Sequence, residues 1–179
     1  MQARIRFALV LAAGIVSLPG ATLQRLTLDD MIAKSTAIVQ GTVTGSTASA
    51  RGRVIYTHYA IQVSQVYKGG PPAAQDVAVP GGSANGYRQT FPGAPELQTG
   101  QQYVLFLWTG PSGLTQIIGL TQGVFTLSTS SSGATATHPA APDTMLDPAS
   151  GQQVKDQTIT MTLADLQARI ASALGKGAK

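Results

Sequence analysis

The stretch from Arg53 to Gly70 constrains this chain more than any other. It runs Arg-Val-Ile-Tyr-Thr-His-Tyr-Ala-Ile-Gln-Val-Ser-Gln-Val-Tyr-Lys-Gly-Gly and is followed by Pro71-Pro72. β-Branched and aromatic residues of this kind suit a pleated, half-buried surface, and the glycines and prolines end it. Ile55, Tyr59, Ile61 and Val63 alternate with the mostly polar His58, Gln62 and Ser64, the period of a strand with one face inward. At Gln65 and Val66 the alternation slips by one, which predicts a β-bulge and therefore a bent, strongly twisted strand. A long, bent, central strand is what a small barrel needs.

The remaining mature chain supplies shorter elements around it. Thr27 with Asp30 reads as a helix start, and Leu28, Met31, Ile32 and Ser35 share one face. Ala37–Gly45 reads as a first strand, Ser46–Gly52 as a polar hairpin loop, and Gln75–Pro80 as a third strand whose proline marks an end or an edge. Residues 81–100 show no clear element, which is unusual inside a compact domain and often functional. Tyr103–Trp108 is a continuous apolar run, consistent with a strand buried on both faces. Leu114–Ile118 and Gly123–Ser128 complete a meander. Residues 129–150 turn to Ser, Thr, Ala, Gly and Pro, the composition of a flexible polar excursion, with a weak strand near Gly133–Thr137. Thr158–Met161 fits a last strand, and residues 162–174 a C-terminal amphipathic helix carrying Leu163, Leu166, Ile170 and Leu174. The expected fold is mainly β: a closed or partly open antiparallel barrel of OB-like type, with a short N-terminal helix and a C-terminal one. One domain, 22–179, holds it.

Compartment follows from the first residues. Arg4 and Arg6 precede an apolar run from Phe7 to Val16, the pattern of a secretory signal over 1–21. That run is shorter than the ~20 residues of a membrane span, so no transmembrane anchor is expected after cleavage. Only 11% of the chain is charged, against ~25% in ordinary globular proteins, which suits an exported β-protein, periplasmic or secreted. Without residues 1–21, ten basic side chains face eight acidic ones. A charge so small gives no reason to expect nucleic acid. The chain has no cysteine, which removes disulfides, thiol catalysis and a lipidated anchor.

The inventory of reactive groups is thin. Of the two histidines, His58 lies on the polar side of the long strand and His138 precedes Pro139. Each reads as a solvent-facing structural residue, because no partner is visible in sequence. Asp29, Asp30 and Asp165 are better explained as helix N-terminal charges. Asp76 and Glu96 stand alone, and Asp143 and Asp147 lack the alternating ligands of a calcium loop. No catalytic residue, metal ligand or cofactor motif is therefore assigned. Arg51, Arg53, Lys68 and Arg88 give the middle of the chain a basic bias, and they form one patch only if the fold curls back. The candidate binding residues are Tyr87, Arg88 and Phe91, large contact-forming side chains on the 81–100 segment.

Several blocks together resemble a family of uncharacterised exported bacterial proteins: Ala37–Val43, Ile55–Thr57, Val63–Gly69 with its Val-Tyr-Lys-Gly ending, Pro92–Pro95, Gly100–Leu107, Gly119–Phe125 and the helix Leu163–Ile170. Their order is also similar to the netrin-like module of tissue inhibitors of metalloproteinases, a resemblance that implies an OB-type five-stranded barrel with packed helices. Inhibition in that family uses an N-terminal cysteine, which this chain lacks, so no inhibitory residue carries over. Three functions stay open. The leading one is an exported, non-enzymatic binding module of unknown ligand, with an envelope or extracellular protein as partner. The others are a cysteine-free inhibitor of an extracellular protease and a hydrolase with an acid pair that spacing does not reveal.

Overall fold

A computed structural model describes residues 23–131, 133–141 and 144–176. The secretory pattern over 1–21 lies outside the described residues, as does Asp143. In chain order the elements are β1 (Leu23–Gln24), α1 (Leu28–Lys34), β2 (Ala37–Arg51), β3 (Val54–Lys68) and β4 (Ala74–Pro80). Then come β5 (Gly82–Ala84), β6 (Tyr87–Gln89), β7 (Gln102–Thr109), β8 (Thr115–Ile117), a 3-10 turn over Leu120–Gly123 and β9 (Val124–Ser130). The chain closes with β10 (Gly133–His138), β11 (Met145–Leu146), β12 (Gln153–Val154), β13 (Ile159–Thr162) and α2 (Leu163–Lys176).

The long strand is β3, and it pairs antiparallel with β2 from Ile38↔Lys68 to Arg51↔Val54. Ser46–Arg51 is thus strand rather than loop, and the turn shrinks to Gly52 and Arg53, with Gly52 at φ 63°. Its small polar residues mark an exposed strand, since every one of them has a ladder partner on β3. The slip in alternation has its physical counterpart. Gln40 faces Gln65 while Gly41 faces Val63, and Ile38 faces Lys68 while Val39 faces Val66, so Ser64 and Tyr67 bulge out of β3. A third shift leaves Thr44 unopposed on β2. Bulges bend a strand and raise its twist, and the ribbon curls. At its tightest point a Cβ on Gly41 would come within 2.6 Å of both the Gln62 carbonyl oxygen and Ile61 Cγ2.

The main sheet runs β13-β10-β9-β7-β2-β3-β4, with β8 pairing separately on β7. All of its pairings are antiparallel. Curling brings β4 alongside β8, yet no ladder joins them among the described residues, so the sheet stays open. The architecture is mainly β, with two helices on one face.

β7 divides the core. Tyr103, Leu105 and Leu107 face the inside of the curl with Val39, Ile61 and Val77. Val104 and Phe106 face the opposite side, where Phe125, Met31, Ile32, Leu166 and Ile170 join the sheet to both helices. The apolar run is therefore buried on both faces, as its continuity implied. Trp108 at its end steps out, 43% exposed, with its ring over Gly110, where a Cβ would lie 2.7 Å away.

The helices are fixed at their ends. Thr27 Oγ1 accepts from the Asp30 backbone N–H, and the Asp30 carboxylate accepts from the Thr27 backbone N–H, a capping box. Lys68 Nζ, at the end of β3, donates to the carbonyls of Ile32 (2.7 Å) and Ala33 (2.9 Å) in the last turn of α1. A cation there satisfies orphan carbonyls and complements the helix dipole. At the start of α2, Thr162 Oγ1 accepts from the Asp165 backbone N–H and donates to its carboxylate, a cap made by side-chain bonds alone. The weak strand expected near Gly133–Thr137 is β10, which extends the sheet, and the described part of 129–150 is more firmly packed than a flexible excursion, with Ala136, His138, Ala141 and Met145 buried.

Two outcomes follow for stability. Phe106→Ala, which removes a ring fully buried and 5.8 Å from that of Phe125, should cost roughly 3–5 kcal/mol in urea unfolding followed by circular dichroism. The Thr27 hydrogen bonds, side chain first and backbone second, hold the Asp30 carboxyl below its ordinary 3.8. A depressed carboxylate contributes stability above its unfolded value and loses it as pH falls through the folded one. Asp30→Asn should therefore lower the urea midpoint at pH 7, and the two proteins should converge below pH 3.8.

Candidate functional site

Residues 81–100 are not without structure. β5 and β6 form a hairpin across Asn85-Gly86, with both residues at positive φ, 53° and 79°. That is the preference of a two-residue I′ turn, and Asn-Gly is its strongest sequence signal. Gln89 fastens the hairpin to the tip of the β2–β3 arm. Its Oε1 accepts from the Ile55 backbone N–H at 2.7 Å, and its Nε2 donates to the Arg53 carbonyl at 2.9 Å. Behind it, Thr57 Oγ1 donates to the Gly81 carbonyl, and Gly82 sits where a Cβ would meet Thr57 Oγ1 at 2.5 Å.

The rest of the segment is pinned at its far end. Leu97 is buried in the inner core, the Gln98 backbone N–H donates to the Tyr103 hydroxyl, and Gly100 and Gln101 exchange backbone hydrogen bonds with Val43. Between hairpin and pins opens a cleft of about 450 Å³, lined among others by Thr57, Tyr59, Arg88, Phe91, Glu96 and Gln98. Burial, chiefly, pushes the Tyr59 hydroxyl above its ordinary range. The Leu97 backbone hydrogen bond opposes that shift, and the charge of Glu96 reinforces it. Tyr59 therefore stays a neutral phenol. Of the three candidate residues the fold brings two together: Arg88 lines the cleft, and so does Phe91, at 38% exposure. Tyr87 is 74% exposed at the hairpin and stands outside the lining. Among the described residues neither Arg88 nor Glu96 makes an ion pair, so the cleft offers a cation and an anion without described partners.

The basic residues do not converge. Arg53 lies beside Arg88 through Gln89, and Arg51 Nη2 donates to the Ser112 carbonyl. Lys68 is at the opposite end, under α1.

Both histidines have partners the sequence did not show. His58 Nδ1 is 2.8 Å from Asp76 Oδ2. The register explains it, because His58↔Ala78 and Ala60↔Asp76 place the two on one face as diagonal neighbours, within reach of long side chains. Among the described residues His58 Nε2 has no hydrogen-bond partner, and the hydroxyl-bearing Thr44, Ser46 and Thr47 share its shallow depression on the arm without bonding to it. His138 is only 3% exposed, not solvent-facing. It continues the inward face of Ala136 on β10, and its ring packs 5.5 Å from Phe125. Its Nδ1 is 3.3 Å from the Val124 carbonyl and its Nε2 is 3.1 Å from Asp156 Oδ2. Asp156 also accepts from the Ala141 and Gln157 backbone N–H groups. This buried pair ties the polar crossing between β10 and β13 to the sheet. Nothing local marks Asp156 as a partner for a residue 18 positions earlier. Asp147 caps its own turn by accepting from Ala149 and Ser150.

Among the described residues no group of three or more His, Cys, Asp or Glu side chains is placed to hold a metal ion. No described helix is long and apolar enough to cross a membrane. No family model matches the chain, and no curated protein or solved structure matches it either.

The two histidines should separate in a stability measurement. His138→Ala removes a ring packed on Phe125 and one of the partners of a buried carboxylate, whose Oδ2 keeps only the Ala141 N–H, and should cost roughly 1–3 kcal/mol. His58→Ala removes an exposed pair and should stay within about 0.5 kcal/mol of the parent.

Proposed function

We propose that this chain is an exported, non-enzymatic binding module that takes its ligand in the cleft between the β5–β6 hairpin and the Leu97 anchor. The observation that carries the reading is that Arg88, Phe91 and Glu96 converge on a concave site fixed at both ends by Gln89 and Leu97. Concave sites combining an aromatic wall with a few oriented polar groups are ordinary ligand sites. A cation and an anion without described partners, a neutral phenol and an aromatic edge suit a polar ligand of both charges, such as an exposed peptide segment of an envelope or extracellular protein. Export rests on the secretory pattern over 1–21. The strand cycle β2-β3-β4, then β8, β7 and back to β2, supports reading the curl as an OB-type barrel left open between β4 and β8.

The test is capture from envelope extract by the immobilised mature protein. The double variant Arg88→Ala/Phe91→Ala should lose at least ten-fold in the amount captured. Tyr87→Ala, altered outside the cleft, should keep its partners. Equal capture by all three proteins would remove the cleft as the site.

A further inference from the structure

β2 is covered unevenly along its second edge. β7 pairs with it only from Ala37 to Thr42, and Gly100 and Gln101 bond Val43. From Thr44 to Arg51 every ladder partner of β2 is on β3, and among the described residues no backbone group bonds the opposite edge. An exposed row of unpaired N–H and C=O groups is a template for another strand, and proteins ordinarily guard such rows with charge, proline or shortness. Two other free edges among the described residues, those of β4 and β13, are guarded or short. β4 carries Asp76 and Pro80, and β13 has four residues before α2 begins. The β2 tail has no such guard: Thr44-Gly-Ser-Thr-Ala-Ser-Ala50 is exposed or half-exposed, uncharged and free of proline.

We propose that this edge is a self-pairing surface, on which two copies of the chain join antiparallel about a two-fold axis at Thr47. Centring on Thr47 sets Thr44 against Ala50, Gly45 against Ser49 and Ser46 against Ala48. All are small, and no like charges meet. Arg51 would fall opposite Val43, whose edge Gly100 and Gln101 already occupy, so the ladder ends there by itself. The result is an isologous interface, a β3-β2-β2-β3 sheet across two molecules. One side of each arm is already closed by the β5–β6 hairpin, where Gly82 abuts Ala48, so the arm presents an edge rather than an open apolar face. Guarded β4 and short β13 are poorer matches, which favours the like edge. The pairing does not depend on what the cleft binds.

The absence of cysteine allows a direct test. Sedimentation of the mature protein should show its mass doubling with concentration. Thr47→Lys opposes two ammonium groups at the axis and should weaken association at least ten-fold, with circular dichroism and thermal midpoint unchanged. A single Thr47→Cys should cross-link to itself under mild oxidation far faster than Ala164→Cys, on the exposed side of α2. A monomer at every concentration, a dimer indifferent to Thr47→Lys, or equal cross-linking at both positions would overturn the proposal. Cross-linking of Thr47→Cys in extract to a different chain, with no homodimer formed, would overturn it too.

Discussion

Two fifteen-residue strands hydrogen-bonded along their length would make a ribbon too long to cover with the apolar side chains available here. The register shifts at Ser64, Tyr67 and Thr44 resolve this by bending the ribbon into a trough. One end then lies under α1 and the other reaches back over the mouth of the inner core. Gly41 is the close-contact point of that bend, where even a methyl group would collide with the opposite backbone. Every later element is placed against the curl. β7 fills it, β4 is swung beside β8, and the 81–100 segment closes its open end.

That closure shapes the cleft. The hairpin is held to the arm by polar contacts through Gln89, while Leu97 anchors the other side in apolar core. The two fastenings differ in kind, and the cleft lies between them. Arg88 and Phe91 reach it from either side of the Gln89-Thr90 pair, with the Gln89 side chain fixing the end of β6 to the arm. Tyr87 misses it, since it opens β6 right after the Asn-Gly turn and projects from the hairpin.

Much of the architecture was legible in residues whose signal is local. The bulge was written in the slip at Gln65 and Val66, α1 in its capping pair, and β7 in an unbroken apolar run. Ser46–Arg51 was misread because its composition is that of a loop, while its conformation is dictated by the strand across from it. The hairpin at Asn85-Gly86 has a local signal too, in the Asn-Gly pair at its turn. The histidine partners were another matter. His58 meets Asp76 and His138 meets Asp156 only because register and chain crossing bring together residues 18 positions apart, and neither has a pattern in one dimension. Two of the three candidate residues, Arg88 and Phe91, line the cleft: aromatic and arginine side chains near a turn announce contact, but not which of them face inward.

Trp108 has a consequence of a different sort. It is the chain's one tryptophan, and it lies over Gly110 at the β7–β8 turn instead of inside either core. An indole already in contact with water changes its emission little when the chain opens. Tryptophan fluorescence therefore watches a turn beside the arm tip rather than the packing of the sheet. The core's own optical witnesses are Tyr59 and Tyr103, both buried, whose near-ultraviolet signals belong to the cavity that the curled ribbon encloses.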